Sequence, residues 1–271
     1  MAVRKIAHPS IDDRKARGLE ARDRRSPSSH AKWRPAADRP DPVGLLEEQN
    51  VTREPDLVPV RHGRMMVSPF TFYRGAAKIM AADLKGTPVA GLEAQLCGDA
   101  HLSNFGLFAS PERRLLFDLN DFDETLPGPF EYDVKRMAAS FEIAGRNNGF
   151  AKADTRAATL ASVTAYREAM AAFAQMPTMD IWYAHLDEDE LMAAIRNTVA
   201  ATRKEAKGAK KKLEKRDVKQ EKLAKLAEKR AEKTAAKAHT RDSMQALSKL
   251  GELADGQYRI VTCSSALRSW T

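Results

Sequence analysis

The densest group of side chains capable of chemistry lies between residues 97 and 133. Asp99 and Asn104 stand five positions apart, on a segment expected to form a loop that enters a strand. In phosphoryl transfer an aspartate accepts or orients the proton of the attacking hydroxyl, while an asparagine carbonyl holds Mg²⁺. The spacing lets one tight loop place both groups around a transferred phosphoryl group. The pair is therefore a candidate for a phosphoryl-transfer site, with a hydroxyl acceptor that the sequence does not identify; the alternative for this cluster of aspartates is a capped hairpin and an acidic turn.

A second acidic group, at residues 118–124, is expected to supply a carboxylate ligand of the metal. Mg²⁺ prefers a few hard oxygen ligands together with phosphate oxygens. Asp121 is favoured because Phe-Asp-Glu and a Pro-Gly turn follow it; Asp118 competes for the role, and Asp123 is a third candidate. A regular strand would place Asp118 and Asp121 on opposite faces. The same carboxylates could instead serve a metal-dependent phosphoester hydrolase, with water as the nucleophile.

Four further side chains near these acidic groups have simpler interpretations. His101 is expected to support the loop through a hydrogen bond rather than to bind zinc, because no second His or Cys stands at a metal-binding spacing. Cys97 is expected to be a packed small residue. Arg74 and Lys78 lie on the polar side of a predicted helix, which favours a solvated stripe; the alternative is a pair of cations that contact phosphate.

Hydrophobic spacing and turn residues indicate the elements that must position these groups. Ser68 is a candidate helix cap and Pro69 suits a first helical position. Helices are predicted at residues 69–85, from about 131, and at 152–175 and 187–202; hairpin arms at 107–108 and 115–117; and a turn at 126–129. The fold class is therefore α+β and mostly helical, with a small β-hairpin platform.

Composition divides the chain into four predicted segments. These are a flexible basic arm (1–45), a domain with the acidic groups (46–200), a long charged helix rich in Lys, Ala and Glu (201–248), and a tail (249–271). Residues 1–40 carry a surplus of six positive charges and residues 201–250 a surplus of ten, so a net charge of +8 leaves −8 for the remainder. A second hypothesis is therefore a non-catalytic protein whose basic arms contact nucleic acid or an acidic partner, with 201–248 binding phosphates weakly.

Cysteine content and hydropathy predict a cytoplasmic protein that has no contact with a membrane. Two cysteines are too few for an extracellular disulfide framework. The amino terminus is charged and contains Pro9 before any apolar stretch, which is unlike a secretory signal. No stretch reaches the roughly 18 to 20 apolar residues that span a bilayer.

The segment from Cys97 to Asn104 resembles the His-Gly-Asp-x-His-x-x-Asn catalytic loop of aminoglycoside-phosphotransferase-like and other protein-kinase-like enzymes. The resemblance implies a protein-kinase-like C-lobe, Mg²⁺ and ATP as cofactors, and phosphoryl transfer to a hydroxyl. Asp99 would take the catalytic position, and Asn104 and Asp121 the metal positions. The Tyr-Asp-Val step at Asp133 resembles a later Asp-Leu-Ala step, whose aspartate supports the catalytic loop.

A closer resemblance is to the bacterial family called domain of unknown function 2252. It covers about residues 30–200 and resumes near 245–260. The matching motifs are Arg64-Met65, Ser68-Pro69-Phe70, Tyr73-Arg74-Gly75-Ala76-Ala77, Cys97-Gly98-Asp99-Ala100-His101, Asn104-Phe105-Gly106 and Phe117-Asp118-Leu119-Asn120-Asp121-Phe122-Asp123-Glu124.

The chain also departs from these patterns. Cys97 replaces the usual first histidine, and the sequence contains no Gly-x-Gly-x-x-Gly loop. In the resembled family a Gly-rich strand pair and a Lys-containing segment lie beyond the point where this sequence ends, and the match is lost after about Ile260. The expectation is a truncated or frameshifted product with an incomplete nucleotide lobe, weakly active or inactive alone.

Overall fold

The computed structural model describes residues 9–112, 114–208, 215–240, 251–254 and 257–260. The described residues of Met1–Phe105 and Leu119–Trp182 form one compact unit. Those of Gly106–Asp118 and Tyr183–Thr271 form a second unit. The four segments predicted from composition do not coincide with these two units.

Helices dominate both units, and short paired strands accompany them, as the predicted α+β class requires. The helices are α1 (Ile11–Arg24), α2 (Pro42–Asn50), α3 (Val58–Met65), α4 (Pro69–Arg74), α5 (Ala77–Leu84), α6 (Glu131–Asn147), α7 (Lys152–Phe173), α8 (Thr178–Tyr183), α9 (Glu188–Gly208) and α10 (Lys215–Thr240). The strands are β1 (Glu93–Leu96), β2 (Phe105–Ala109), β3 (Leu115–Leu119), β4 (Leu126–Pro129), β5 (Gly251–Ala254) and β6 (Gln257–Ile260). Short 3₁₀ turns lie at Pro27–Ala31, Pro55–Leu57 and Leu102–Asn104.

Side-chain caps fix the starts of several helices. Ser68 forms a capping box with Thr71 at the start of α4, and Pro69 takes the first helical position, which confirms the predicted start. Ser10 and Asp13 form the same arrangement at the start of α1. The predicted starts of α6, α7 and α9 also agree with the structure to within a residue.

The prediction of one helix over residues 69–85 is wrong, because a break separates α4 from α5. The Gly75 N–H donates to the Phe72 carbonyl at 3.0 Å and the Ala76 N–H to the Tyr73 carbonyl at 3.1 Å, and these bonds close α4. A Cβ at Gly75 would lie 2.6 Å from the Sδ of Met65, so a larger residue at this position would require the Met65 side chain to move. Apolar spacing continues across the break, which is why the sequence pattern does not reveal it.

Three two-stranded sheets occur in the described parts of the chain. β2 pairs with β3, which confirms the predicted hairpin. β1 pairs antiparallel with β4, with Glu93 opposite Pro129 and Leu96 opposite Leu126. Residues 126–129, predicted as a turn, therefore form a strand instead; a partner 30 positions away overrides their Pro-Gly composition.

The buried core of the first unit joins α2, α3 and α5. Leu46, Met65, Ala76 and Ile79 form one apolar cluster. α6 and α7 pack closely elsewhere in the same unit, because a Cβ at Gly145 would lie 2.5 Å from the Oγ1 of Thr155. Thr155 is the buried residue of α7, whose other side chains are largely exposed.

The amino-terminal segment, predicted as a flexible basic arm, contains a capped helix and contacts the rest of its unit. The indole N–H of Trp33 donates to the carbonyl of Asp83 at 3.4 Å. Arg39 donates to both carboxylate oxygens of Asp83, at 2.6 and 2.8 Å. These contacts join positions about 50 residues apart and so could not be inferred from local composition.

In the second unit, β3 and the segment before α9 are joined by main-chain and side-chain bonds. The Phe117 N–H donates to the carbonyl of Leu186 at 2.8 Å, and Arg114 pairs with Asp187 at 3.2 Å. α9 continues to Gly208, so the predicted boundary at residue 200 lies inside a helix. α10 covers 215–240 of the predicted long helix; the rest of that prediction, at 209–214 and 241–248, lies outside the described residues. No helix in the described part of the chain is long and apolar enough to cross a membrane.

Candidate active site

The loop between β1 and β2 carries Asp99 and Asn104, as the sequence predicted. Leu96 ends β1, and Phe105 begins β2 directly after a 3₁₀ turn at Leu102–Asn104. Gly98 has φ of 83°, in the left-handed region that favours glycine. A Cβ at this position would also lie well under 3.0 Å from the carbonyl oxygen of Glu124. Glycine at position 98 is therefore required by both backbone angle and space.

Helix α6 holds this loop through two of its side chains. The carboxylate of Asp133 accepts the Cys97 N–H at 2.8 Å and the Gly98 N–H at 3.1 Å. The hydroxyl of Ser140, which is completely buried, accepts the Leu102 N–H at 3.0 Å. Asp133 and Ser140 are seven positions apart, about two helical turns, so they lie on one face of α6. The loop backbone is thus fixed on both sides of Asp99.

The carboxylate of Asp99 is bound by a buried arginine from the same helix. Arg136 donates from Nε to Oδ1 of Asp99 at 2.5 Å, and its Nη2 contacts the same oxygen. Arg136 is 2% exposed, and 14% of the Asp99 side chain is exposed. Oδ2 of Asp99 lies 3.7 Å from Nε2 of His101. One carboxylate oxygen is therefore held by arginine, and the other lies beside the His101 ring.

Tyr73 and Met80 complete the surroundings of the Arg136 guanidinium. Its carbon lies 4.6 Å from the centre of the Tyr73 ring, a cation–π contact. Nη2 donates to the carbonyl of Tyr73 at 3.1 Å, and Nη1 contacts the Sδ of Met80 at 3.5 Å. The Tyr73 hydroxyl donates to the Arg136 carbonyl at 2.8 Å, and burial raises the pKa of Tyr73 to about 12. The orientation of the Arg136 guanidinium is therefore fixed by Tyr73 and Met80 as well as by Asp99.

His101 and Asn104 are both buried beside Asp99. Nδ1 of His101 accepts the Ser103 N–H at 3.2 Å. Burial lowers the pKa of His101; nearby Asp99 opposes this shift, while Arg136 and Arg74 reinforce it. The Asn104 amide donates from Nδ2 to the Asp99 carbonyl at 2.7 Å. That bond orients the Asn104 side chain and leaves its amide oxygen as the atom that could meet a cation.

The three candidate carboxylates after the hairpin are not equivalent. Asp121 is half-buried, and its Oδ1 accepts the Asp123 N–H at 3.4 Å; Asp123 is exposed. β3 ends at Leu119, so the strand alternation considered for this segment does not extend through Asp123. Asp118 is exposed on β3, in the described part of the second unit. The Asn120 N–H donates to the Asn104 carbonyl at 3.0 Å, which joins the start of the 120–123 segment to the loop.

The donor set fits a magnesium ion that is bound partly by phosphate. Among the described residues, no group of three or more His, Cys, Asp or Glu side chains could hold a metal ion. A magnesium ion that is bound together with phosphate needs no such cage, because it takes one or two protein ligands and completes its shell with phosphate oxygens and water. Asn104 and Asp121 are the residues here that offer such oxygens, and the Asn120–Asn104 bond joins their segments.

The two candidate phosphate contacts have different surroundings. Arg74, at the end of α4, is exposed and lies close enough to affect the pKa of His101. The Lys78 ammonium on α5 lies 2.6 Å from Glu48 Oε2, so it is already paired with a carboxylate. Lys78 lines a cavity of about 360 Å³. Gly98 of the loop and Arg136 of α6 line the same cavity. The structure brings Arg74 to the loop and pairs Lys78 with Glu48.

Arg136 and Ser140 are the contacts that sequence reasoning missed. Both lie on the face of α6 that carries Asp133, three and seven residues further along the helix. Their helical spacing from Asp133, which the sequence had already indicated as a support of the loop, is the signal that could have pointed to them. Cys97, by contrast, is buried as expected, and burial raises the pKa of its thiol to about 12, which keeps it protonated at neutral pH.

Comparison with protein-family models matches residues 53–251 to DUF2252, described as an uncharacterized protein conserved in bacteria. The matched range includes the loop, α6 and the acidic segment after β3. Searches of the curated proteins and of the solved structures found no match.

Proposed function

We propose that this chain, which belongs to the bacterial family DUF2252, carries the catalytic loop of a Mg²⁺-dependent, protein-kinase-like phosphotransferase. The observation that supports the proposal is the pair of hydrogen bonds from the Cys97 and Gly98 amides to Asp133. An aspartate that supports the backbone of the catalytic loop is what the resemblance to kinase-like enzymes implies at this position. The supported loop holds Asp99 and Asn104 together, through the bond from Asn104 Nδ2 to the Asp99 carbonyl.

In this proposal Asp99 is the base for the acceptor hydroxyl. Arg136 binds Oδ1, so Oδ2 faces the substrate and takes the proton as the hydroxyl oxygen bonds to the γ-phosphorus. The bond from that phosphorus to the bridging oxygen breaks, and ADP leaves. Mg²⁺, when bound, neutralises charge on the phosphate oxygens. Asn104 and Asp121 would hold it through their side-chain oxygens, and His101 would keep the loop in place through Ser103.

Arg136 acts in this proposal as a positioning residue. Its guanidinium is buried and bound by Asp99, Tyr73 and Met80, so its role is to fix the orientation of Asp99. Fixing a base within about half an ångström of its productive position is a general requirement for proton transfer. The ion pair also balances the charge of a carboxylate that is mostly withdrawn from water.

The test is a calorimetric titration of the chain with Mg²⁺-ATP, using two matched variants. Asp121→Asn removes a proposed metal ligand, whereas Asp118→Asn makes the same change three residues away on an exposed strand position. We expect the wild type and Asp118→Asn to bind Mg²⁺-ATP, and Asp121→Asn to bind at least about tenfold more weakly. Circular dichroism spectra must match for all three proteins.

Four outcomes would contradict the proposal. Loss of binding in Asp118→Asn with retention in Asp121→Asn would reject the ligand assignment, and no binding by the wild type would reject the nucleotide site. Release of phosphate from p-nitrophenyl phosphate without nucleotide would favour the metal-dependent hydrolase. DNA or RNA binding that is lost when residues 215–240 are deleted, in a protein that does not bind Mg²⁺-ATP, would favour the non-catalytic binding protein.

A further inference from the structure

A cavity of about 520 Å³ lies in the first unit, between the amino-terminal segment and helices α4, α5 and α6. We call it the Trp33 cavity, after the residue of the amino-terminal segment that forms one wall. Small-molecule sites in proteins typically have volumes of roughly 300 to 1,000 Å³ and mostly apolar walls with a few polar groups. The Trp33 cavity has this size and this composition.

The apolar part of the cavity suits a flat molecule. Its aromatic walls are Trp33, Phe72 and Tyr73, and its aliphatic walls include Ile79 and Ile143. The indole of Trp33 is held by its hydrogen bond to the Asp83 carbonyl, although 49% of the residue is exposed. An exposed but fixed indole offers a ring face for stacking at little cost in side-chain entropy.

The polar part of the cavity carries positive charge. Lys32, His30 and Lys135 line it, and its acidic residue, Asp83, is already bound through both oxygens by Arg39. The Lys135 ammonium donates to two neutral oxygens, Thr87 Oγ1 at 2.9 Å and the Pro88 carbonyl at 3.4 Å.

Two groups on this side of the cavity, His30 Nδ1 and the Lys135 ammonium, could bind a polar group of a ligand. Nδ1 of His30 is buried and has no hydrogen-bond partner among the residues that the structure describes. Burial lowers the pKa of Lys135, and Glu131 opposes that shift. The Lys135 hydrogen bonds found among the described residues go to neutral oxygens, so a ligand carboxylate could add a charge-assisted hydrogen bond, which is the stronger kind.

We propose that the Trp33 cavity is a binding site for a small, flat apolar molecule with one acidic group. The ring system would lie against Trp33 and Phe72, and the carboxylate would reach Lys135 and His30. The ligand would also pack against Tyr73 and Met80, the two side chains that surround the Arg136 guanidinium. The site is separate from the loop of Asp99 and does not depend on phosphotransferase activity.

The test uses a matched pair of probes, 2-naphthoate and its neutral isostere 2-naphthamide, titrated into the full chain by calorimetry. We expect 2-naphthoate to bind about tenfold more tightly than the amide, because only the acid can form a charge-assisted bond. Lys135→Met should abolish this difference while leaving binding of the amide within about twofold. Lys152→Met, at an exposed position of α7, should leave both affinities unchanged.

A second pair of variants tests the position of the ring. Ala139→Phe fills the cavity from α6 and should weaken binding of both probes at least about tenfold, whereas Ala157→Phe, on the exposed surface of α7, should not. The proposal is overturned if 2-naphthoate does not bind, if the amide binds equally well, or if Trp182→Leu removes binding. Trp182 is 80% exposed on α8, so that last result would place the probes on an open apolar surface instead.

Discussion

Gly98 is the residue in the loop on which the backbone depends most strictly. Gly98→Ala would force a Cβ against the Glu124 carbonyl and strain a φ of 83°. Gly149 has φ of 68°, but a Cβ at that position would meet nothing within 4 Å, so Gly149→Ala carries only the strain. We expect unfolding in urea to show a loss of about 1 to 2 kcal/mol for Gly149→Ala and at least about 3 kcal/mol for Gly98→Ala. Equal losses would mean that the loop relaxes away from Glu124.

For single residues, the sequence motif at residues 97–104 located the loop but did not reveal which residue pairs with the charge of Asp99. Asp99, Asn104 and Asp133 could be selected from the sequence because their types and order resemble a known pattern. The pairing of Asp99 with Arg136 could not, because a charged residue in a helix is ordinarily solvated. Only the burial of Arg136 by Tyr73 and Met80 shows that the helix turns this charge inward.

Among elements, starts were predicted better than breaks and pairings. A helix start depends on residues within one turn, such as Ser68, Pro69 and Thr71, and these are visible in the sequence. The break between α4 and α5 falls within a continuous apolar pattern, and the β1–β4 pairing joins residues 30 to 36 positions apart. Tertiary contacts of this kind override local propensity, so local rules could not find them.

Helix α6 offers a direct comparison between a buried and an exposed arginine. Arg136 pairs with Asp99 inside the protein, whereas Arg146 pairs with Glu142 four residues back, with 73% of its side chain exposed. Arg136→Leu should destabilise the chain by about 3 to 5 kcal/mol, because it leaves Asp99 without its partner. Arg146→Leu should cost about 0.5 kcal/mol or less. Urea unfolding followed by circular dichroism measures both.

The double variant Asp99→Asn/Arg136→Leu separates the ion pair from packing. If the unpaired carboxylate causes the loss, removing its charge should recover a large part of the stability that Arg136→Leu costs. If the loss is instead due to the cavity left beside Tyr73 and Met80, the double variant should be no more stable than Arg136→Leu.

For the whole molecule, the distribution of charge along the sequence does not show whether the basic amino-terminal segment is bound to the rest of its unit. The sequence carries +8, with the surplus in its basic flanks, and this predicted a flexible arm at residues 1–45. The structure ties this segment to α5 through Trp33 and Arg39, which both bind Asp83. A single acidic residue, 44 positions after its arginine partner, thus binds the basic segment to α5. Charge counts contain no information about such a partner.

This attachment can be tested by limited trypsin digestion. Asp83→Asn replaces one carboxylate oxygen and removes the charge that holds Arg39, while the carbonyl that binds Trp33 remains. Because proteases cut locally opened chain, we expect cleavage after Lys32 to become about threefold to tenfold faster. Glu48→Gln is the matched control, because it removes a carboxylate charge whose partner, Lys78, lies on α5 rather than in the amino-terminal segment. Equal cleavage rates in Asp83→Asn and the wild type, measured by mass spectrometry, would show that the Arg39–Asp83 pair does not retain the segment.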